Sequence, residues 1–134
     1  MKITIVDLGY VGLSNGILLA QNNDVCFLDI DYIRVNLLNN KIAPIKDELI
    51  QKFLSEKQLN YFATIDKYIA YENAEYIVIS VPIDYDDTID TFDVSILKAV
   101  IKDCLKTSSS PTIVIKSTVP IGFTKSLKQG VRGR

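Results

Sequence analysis

The 134 residues contain no histidine and no tryptophan, and only two cysteines and one methionine. With 15 basic against 16 acidic side chains and a net charge of −1, no strongly basic face is available, which argues against nucleic-acid binding. Cys26 and Cys104 form no CxxC pair and no metal-ligating cluster, so no metal site is expected and both read as reduced, buried packing residues. No apolar run approaches the roughly 18 residues of a membrane span, and no charged, apolar, small-residue leader opens the chain. The sequence therefore reads as a cytoplasmic protein without membrane contact. No internal repeat or low-complexity linker interrupts it.

What is present is an alternation of strand and helix signals. Strands are expected near 2–6, 25–29, 60–63, 76–81 and 112–116, and helices near 11–21, 32–39, 47–57, 66–71 and 93–106. Tyr76-Ile77-Val78-Ile79 and Thr112-Ile113-Val114-Ile115 are near-continuous apolar runs, as suits central parallel strands. Val94, Leu97, Val100, Ile101 and Leu105 recur at helical spacing. Strand alternating with helix predicts an α/β fold: a doubly wound, Rossmann-type parallel sheet with helices on both faces. Right-handed crossovers give it the order 3-2-1-4-5. A ligand cleft is then expected at the carboxyl ends of strands 1 and 4. A chain of this length has room for one domain with a real core, not for two.

The opening segment carries the most chemistry. An apolar strand (Ile3, Ile5, Val6) runs into Gly9-Tyr10-Val11-Gly12 and then a helical stretch, the arrangement that holds a dinucleotide pyrophosphate on a helix N-terminus. Gly9 and Gly12 stand where the backbone approaches the pyrophosphate and where helix packs on strand, and the amides of Tyr10 and Val11 are the expected anion donors. The first glycine of G-x-G-x-x-G is replaced by Asp7. Two unit charges about 5 Å apart repel by roughly 3 kcal/mol at an effective dielectric of about 20, equivalent to about two decades of affinity. Asp7 must turn away, take a proton, or weaken the site.

About 20 residues beyond the loop, the second strand ends in Asp29, placed to accept hydrogen bonds from an adenosine ribose and so to favour NAD over NADP. Asp29 could instead cap the following helix, although Asp31 is better placed for that role. Arg34, one turn into the helix, is either a cover for the ribose or a solvated surface residue. Two further loops leave the same sheet edge. Residues 81–90 carry four acids and read as a solvated acidic loop rather than a cation site. Lys116-Ser117-Thr118-Val119-Pro120-Ile121-Gly122 combines a cation, two hydroxyls and a rigid turn, and Thr118 could either line a site or cap a following helix.

Gly9-Tyr10-Val11-Gly12-Leu13-Ser14, Asp29, the Ser80-Val81-Pro82 strand end and Lys116-Ser117-Thr118-Val119-Pro120-Ile121-Gly122 together resemble the amino-terminal NAD-binding domain of the UDP-glucose/GDP-mannose dehydrogenase family. Gly-Leu-Ser-Asn-Gly at 12–16 and Ala43-Pro44-Ile45 before Asp47-Glu48 are most similar to its bacterial UDP-glucose 6-dehydrogenases. The resemblance runs to about residue 127. It implies NAD as cofactor and, for a complete enzyme, a double oxidation of a nucleotide-sugar alcohol to the carboxylate, UDP-glucose to UDP-glucuronate, through a thiohemiacetal on a cysteine. It also implies that Gly9, Tyr10, Val11 and Gly12 hold the pyrophosphate, that Asp29 and Arg34 hold the ribose, that Pro82 adjoins the cofactor, and that Thr118 places a water beside the nicotinamide.

Three departures accompany the resemblance: Asp7 for glycine, Ile83 where the family has a threonine, and an end at Arg134, before the segments that supply the catalytic lysine, asparagine and cysteine. The expectation is an NAD-binding domain over 1–128 with a frayed tail over 129–134. Its catalytic and sugar-binding domain is absent, so the chain is inactive alone and takes a UDP-sugar only if that domain is supplied. The competing reading is a non-catalytic relic, an interaction module with weak or no dinucleotide binding. A domain parted from its partner also exposes apolar surface through which it could form a homo-oligomer.

Overall fold

Five parallel strands form the centre of the protein, and their side chains alternate between two apolar layers. The computed structural model describes residues 1–81, 84–86, 91–93, 95–106 and 110–116. In chain order the elements are β1 (Lys2–Val6), α1 (Tyr10–Leu19), β2 (Asp24–Leu28), α2 (Tyr32–Asn39), α3 (Glu48–Glu56) and β3 (Tyr61–Thr64). These are followed by α4 (Lys67–Tyr71), β4 (Tyr76–Ile79), β5 (Asp84–Asp86), β6 (Thr91–Asp93), α5 (Ser95–Leu105) and β7 (Thr112–Ile115). The main sheet has the order β3-β2-β1-β4-β7, every pairing parallel, which is the expected 3-2-1-4-5.

Period two along the strands sorts the core. Ile3 and Ile5 of β1, Val25 and Phe27 of β2 and Val78 of β4 pack with Leu13 and Ile17 of α1, Val35 and Leu38 of α2, and Ile50 and Leu54 of α3. The intervening residues Val6, Cys26, Leu28, Ile77 and Ile79 pack on the other face with Ala70 and Tyr71 of α4 and with Leu97, Ile101 and Cys104 of α5. Thr4 is the exception in this second layer. It is fully buried, and its hydroxyl donates to the Ala70 carbonyl. The two cysteines are buried and form no disulfide, as expected.

Aspartates punctuate the helices. Asp31, Asp47 and Asp66 each accept backbone amides at the starts of α2, α3 and α4, which fixes capping as the role of Asp31. The sheet edge at β3 is closed by Asn39, whose side-chain amide donates to the Ala63 carbonyl at 2.9 Å and accepts its N–H at 2.8 Å.

One expectation needs correction. The acidic segment after β4 contains an antiparallel pair, β5 and β6, with Tyr85 opposite Phe92. Strands of three residues are too short for alternation to be read against the charges around them. The helix expected over 93–106 accordingly begins at Ser95, after β6.

Candidate functional site

The carboxyl ends of β1 and β2 are tied together through a carboxylate. Leaving β1, Asp7 donates its amide to the Leu28 carbonyl at 2.7 Å, and Leu8 donates its amide to Asp29 Oδ2 at 2.7 Å. The other oxygen of Asp29 accepts the Asp31 amide at 2.9 Å. Asp29 is 6% exposed, a buried acid held by two backbone donors, and each oxygen keeps a further lone pair.

Asp7 turns the chain with φ 86°, the left-handed region that glycine enters freely and aspartate only at a cost. Its carboxyl reaches forward over the loop and accepts the Gly9 amide at 3.1 Å. Burial raises its pKa above the ordinary carboxylate value, the neighbouring Asp29 raises it further, and the Gly9 amide and the Arg34 guanidinium partly offset the rise. Gly12 is required by contact: a Cβ there would stand 2.3 Å from the Asp7 carbonyl oxygen and 2.6 Å from Ser80 Oγ. Ser80 is itself fixed, its hydroxyl donating to the Val6 carbonyl at 3.1 Å.

Helix α1 starts from Gly9 with no side-chain cap, unlike α2, α3 and α4. Tyr10 and Val11 stand exposed at its first turn. A helix start without a side-chain cap is suited to an anion from outside the chain. A cleft of about 500 Å³ opens at the carboxyl ends of β1, β2 and β4, lined beyond the strand ends by α4 and α5. Asp7 and Asp29 line it on one side, Ile30 and Ile65 on another, and Ile96 and Val100 of α5 across from them. Arg34 of α2 is half-exposed, with Nε 3.8 Å from Asp31.

The structure thus brings Gly9, Tyr10, Val11, Gly12, Asp29 and Arg34 to one sheet edge. Pro82 and Thr118, like Ile83 and the rest of the loop after Lys116, lie outside the described residues. Sequence reading missed the bridging of Leu8 by Asp29, the seating of Gly12 on Ser80, and the apolar walls. Ile30 offered a signal: it directly follows the strand-ending acid and stands 99% exposed. Among the described residues, no helix is long and apolar enough to cross a membrane.

Comparison with known proteins agrees with the fold. The model of the UDP-glucose/GDP-mannose dehydrogenase family, NAD binding domain, matches residues 1–133. The chain is 45% identical over 129 residues to a UDP-glucose 6-dehydrogenase of Streptococcus pneumoniae, covering 96% of this chain and 33% of that protein. It is 46% identical over 131 residues to a UDP-glucose 6-dehydrogenase of Campylobacter jejuni, with the same two shares. Among solved structures, a UDP-D-ManNAc dehydrogenase from Pyrococcus horikoshii superposes with a TM-score of 0.84 at 25% identity, covering 99% of this chain and 32% of that one. The chain spans about a third of the length of the curated relatives it matches.

Proposed function

Because the chain belongs to the UDP-glucose/GDP-mannose dehydrogenase family and carries its NAD-binding domain, we propose that these residues hold NAD for the oxidation of a nucleotide sugar, UDP-glucose to UDP-glucuronate in the whole protein. The observation that carries this reading is the buried Asp29 carboxylate, which lines the cleft at the strand ends and holds the Leu8 amide in the turn that leads to the uncapped start of α1.

The residues fit such a cofactor in most respects. The amides of Tyr10 and Val11 meet the pyrophosphate with the positive end of the α1 dipole behind them. Gly12 lets α1 sit against β1 and Ser80, so the amides are presented at the right depth. Asp29, already oriented by the Leu8 and Asp31 amides, accepts the ribose hydroxyls on its remaining lone pairs, and a 2′-phosphate there would meet its negative charge. Arg34, half-exposed on α2, covers the ribose in this reading. Ile30, Ile65, Ile96 and Val100 exclude water from the base. Pro82 and Thr118 complete the nicotinamide side in this reading. When bound, NAD supplies the hydride acceptor.

The two thiols of this stretch do not supply the covalent step that the family resemblance implies. Cys26 and Cys104 are fully buried, and burial pushes their pKa values up to about 12 and about 11. NADH formation from UDP-glucose by the 134 residues alone would therefore contradict this assignment. The direct test of the cofactor reading is calorimetric titration with NAD. Binding in the micromolar to low-millimolar range supports it, and absence of binding both by this chain and by its Asp7→Gly variant overturns it.

A further inference from the structure

The geometry points to Asp7 as an internal occupant of the glycine loop: its carboxylate holds the Gly9 amide until NAD displaces it, and NAD binding is thereby coupled to uptake of a proton at Asp7. This inference rests on the NAD reading above and adds to it a regulatory contact built from this chain's own residue.

Three observations lead there. First, the left-handed backbone at Asp7 directs its side chain forward over the turn, so that Oδ2 lies 3.1 Å from the Gly9 nitrogen and 2.8 Å from where a Cβ on Gly9 would stand. The carboxylate thus occupies the mouth of the loop that a pyrophosphate approaches, and satisfies one of its amides. Second, the same carboxyl stands next to the buried Asp29, so a bound dinucleotide adds its charge to a pair of acids already close together. Third, little in the cleft neutralises that pair.

The charged groups around Asp7 can be named element by element. Asp29 faces it from the end of β2, Arg34 from α2, and the Gly9 amide from the start of α1. On the far wall, Lys67 of α4 is bound to Asp103 of α5 at 3.3 Å, and Asp66 caps α4. Arg34 leans on Asp31. Among the described residues lining the cleft, four acids (Asp7, Asp29, Asp66, Asp103) therefore stand against one lysine. Adding a pyrophosphate raises the proton affinity of the nearest carboxyl, and burial in the absence of ligand already favours its neutral form. A protonated Asp7 can direct its O–H to Asp29 and holds the Gly9 amide only as a neutral acceptor, so the incoming phosphate competes for that amide on better terms and meets no charge from Asp7. Asp29, by contrast, is held by two backbone donors and stays available to the ribose.

Linkage gives the sign. A group that takes up a proton on binding makes the dissociation constant rise with pH, by up to about tenfold per unit while the proton is gained, and flat outside that window. The test pairs the full 134-residue chain with Asp7→Asn, which keeps a residue tolerant of positive φ and removes the charge. NAD is titrated by calorimetry from about pH 5 to about pH 8, in buffers of different ionisation enthalpy. In parallel, the Gly9 amide resonance is followed with pH without NAD. Expected for the parent are NAD binding that weakens as pH rises, a net uptake approaching one proton per NAD, and a Gly9 resonance that titrates. Expected for Asp7→Asn are tighter binding at the upper pH, little pH dependence, and a static Gly9 resonance. PH-independent NAD binding by the parent, or a pH dependence that survives in Asp7→Asn, overturns the coupling while leaving the NAD reading intact. If neither protein nor Asp7→Gly binds NAD, the coupling falls with the NAD reading. The Gly9 titration then still reports whether the carboxylate holds the loop.

Discussion

Asp29 Oδ2 accepts the Leu8 amide at 2.7 Å, so the acid proposed for the ribose is also the clamp that joins the end of β2 to the turn leaving β1. Asp29→Ala leaves the amides of Leu8 and Asp31 without their acceptor, at about 1–3 kcal/mol for each donor left unpaired in the interior. The expected loss of unfolding free energy is about 2–4 kcal/mol by urea titration, with Asp29→Asn losing about half of that. Asparagine keeps one acceptor oxygen but turns an NH₂ toward the second amide. A loss below about 0.5 kcal/mol for Asp29→Ala would show that the clamp is not needed.

Asp7 predicts a pH dependence of stability as well as of binding. Its folded-state pKa is raised above the ordinary 3.8, chiefly by burial and then by Asp29. The folded chain therefore retains the proton over a range in which the unfolded chain has released it. The cost to stability is absent below the unfolded pKa, grows as pH rises through the window, and is fully present above the raised value. Asp7→Asn should match the parent at the acid end and exceed it increasingly toward neutrality. The difference between two urea or thermal series isolates this group from the other carboxylates. A constant difference across the whole range would contradict the assignment.

Much of this was legible from the chain, for identifiable reasons. Ile3, Ile5, Val25, Phe27 and Val78 alternate with residues of the opposite layer, and strand order followed from the handedness of crossovers. The place of Asp29 at the end of β2 was legible from the apolar run before it, and the capping by Asp31 from its position before a helical run. Asp7 was legible as a departure but not in its outcome, since the backbone torsion and the contact with Gly9 are tertiary facts. The β5–β6 pair escaped because its three-residue strands sit among carboxylates. The packing role of Gly16 escaped because the aromatic residue it faces lies on another element.

The thiols offer a probe of the second layer. Cys26 and Cys104 are buried on the α4 and α5 side of the sheet, with pKa values pushed up to about 12 and about 11 by burial, partly offset at Cys104 by the Tyr71 hydroxyl. At pH 8 the thiolate fraction is on the order of one in a thousand or less for each. Both should resist a disulfide reagent in the native chain and react together once denaturant opens the domain. Fast labelling of Cys104 alone, without denaturant, would show that α5 detaches from the sheet locally.

Gly16 and Phe27 test the first layer. A Cβ on Gly16 would stand 2.2 Å and 2.5 Å from two atoms of the Phe27 ring and 3.1 Å from Ile5. The ring has little room to yield, because Tyr61 meets it edge-on with centroids 5.8 Å apart. Alanine is the better helix former by about 1 kcal/mol, and overpacking of this kind costs about 1–3 kcal/mol, so Gly16→Ala should be net destabilising by up to about 2 kcal/mol. If the ring is the obstacle, Phe27→Leu should relieve it, and the double variant should be more stable than the sum of the single changes by about 1 kcal/mol. Gly12→Ala cannot be relieved in this way, since its nearest obstacle is the Asp7 backbone carbonyl at 2.3 Å. It should distort the loop that carries the Tyr10 and Val11 amides and abolish NAD binding whatever stands at position 27. Additive effects for Gly16→Ala and Phe27→Leu would place the strain somewhere other than that contact.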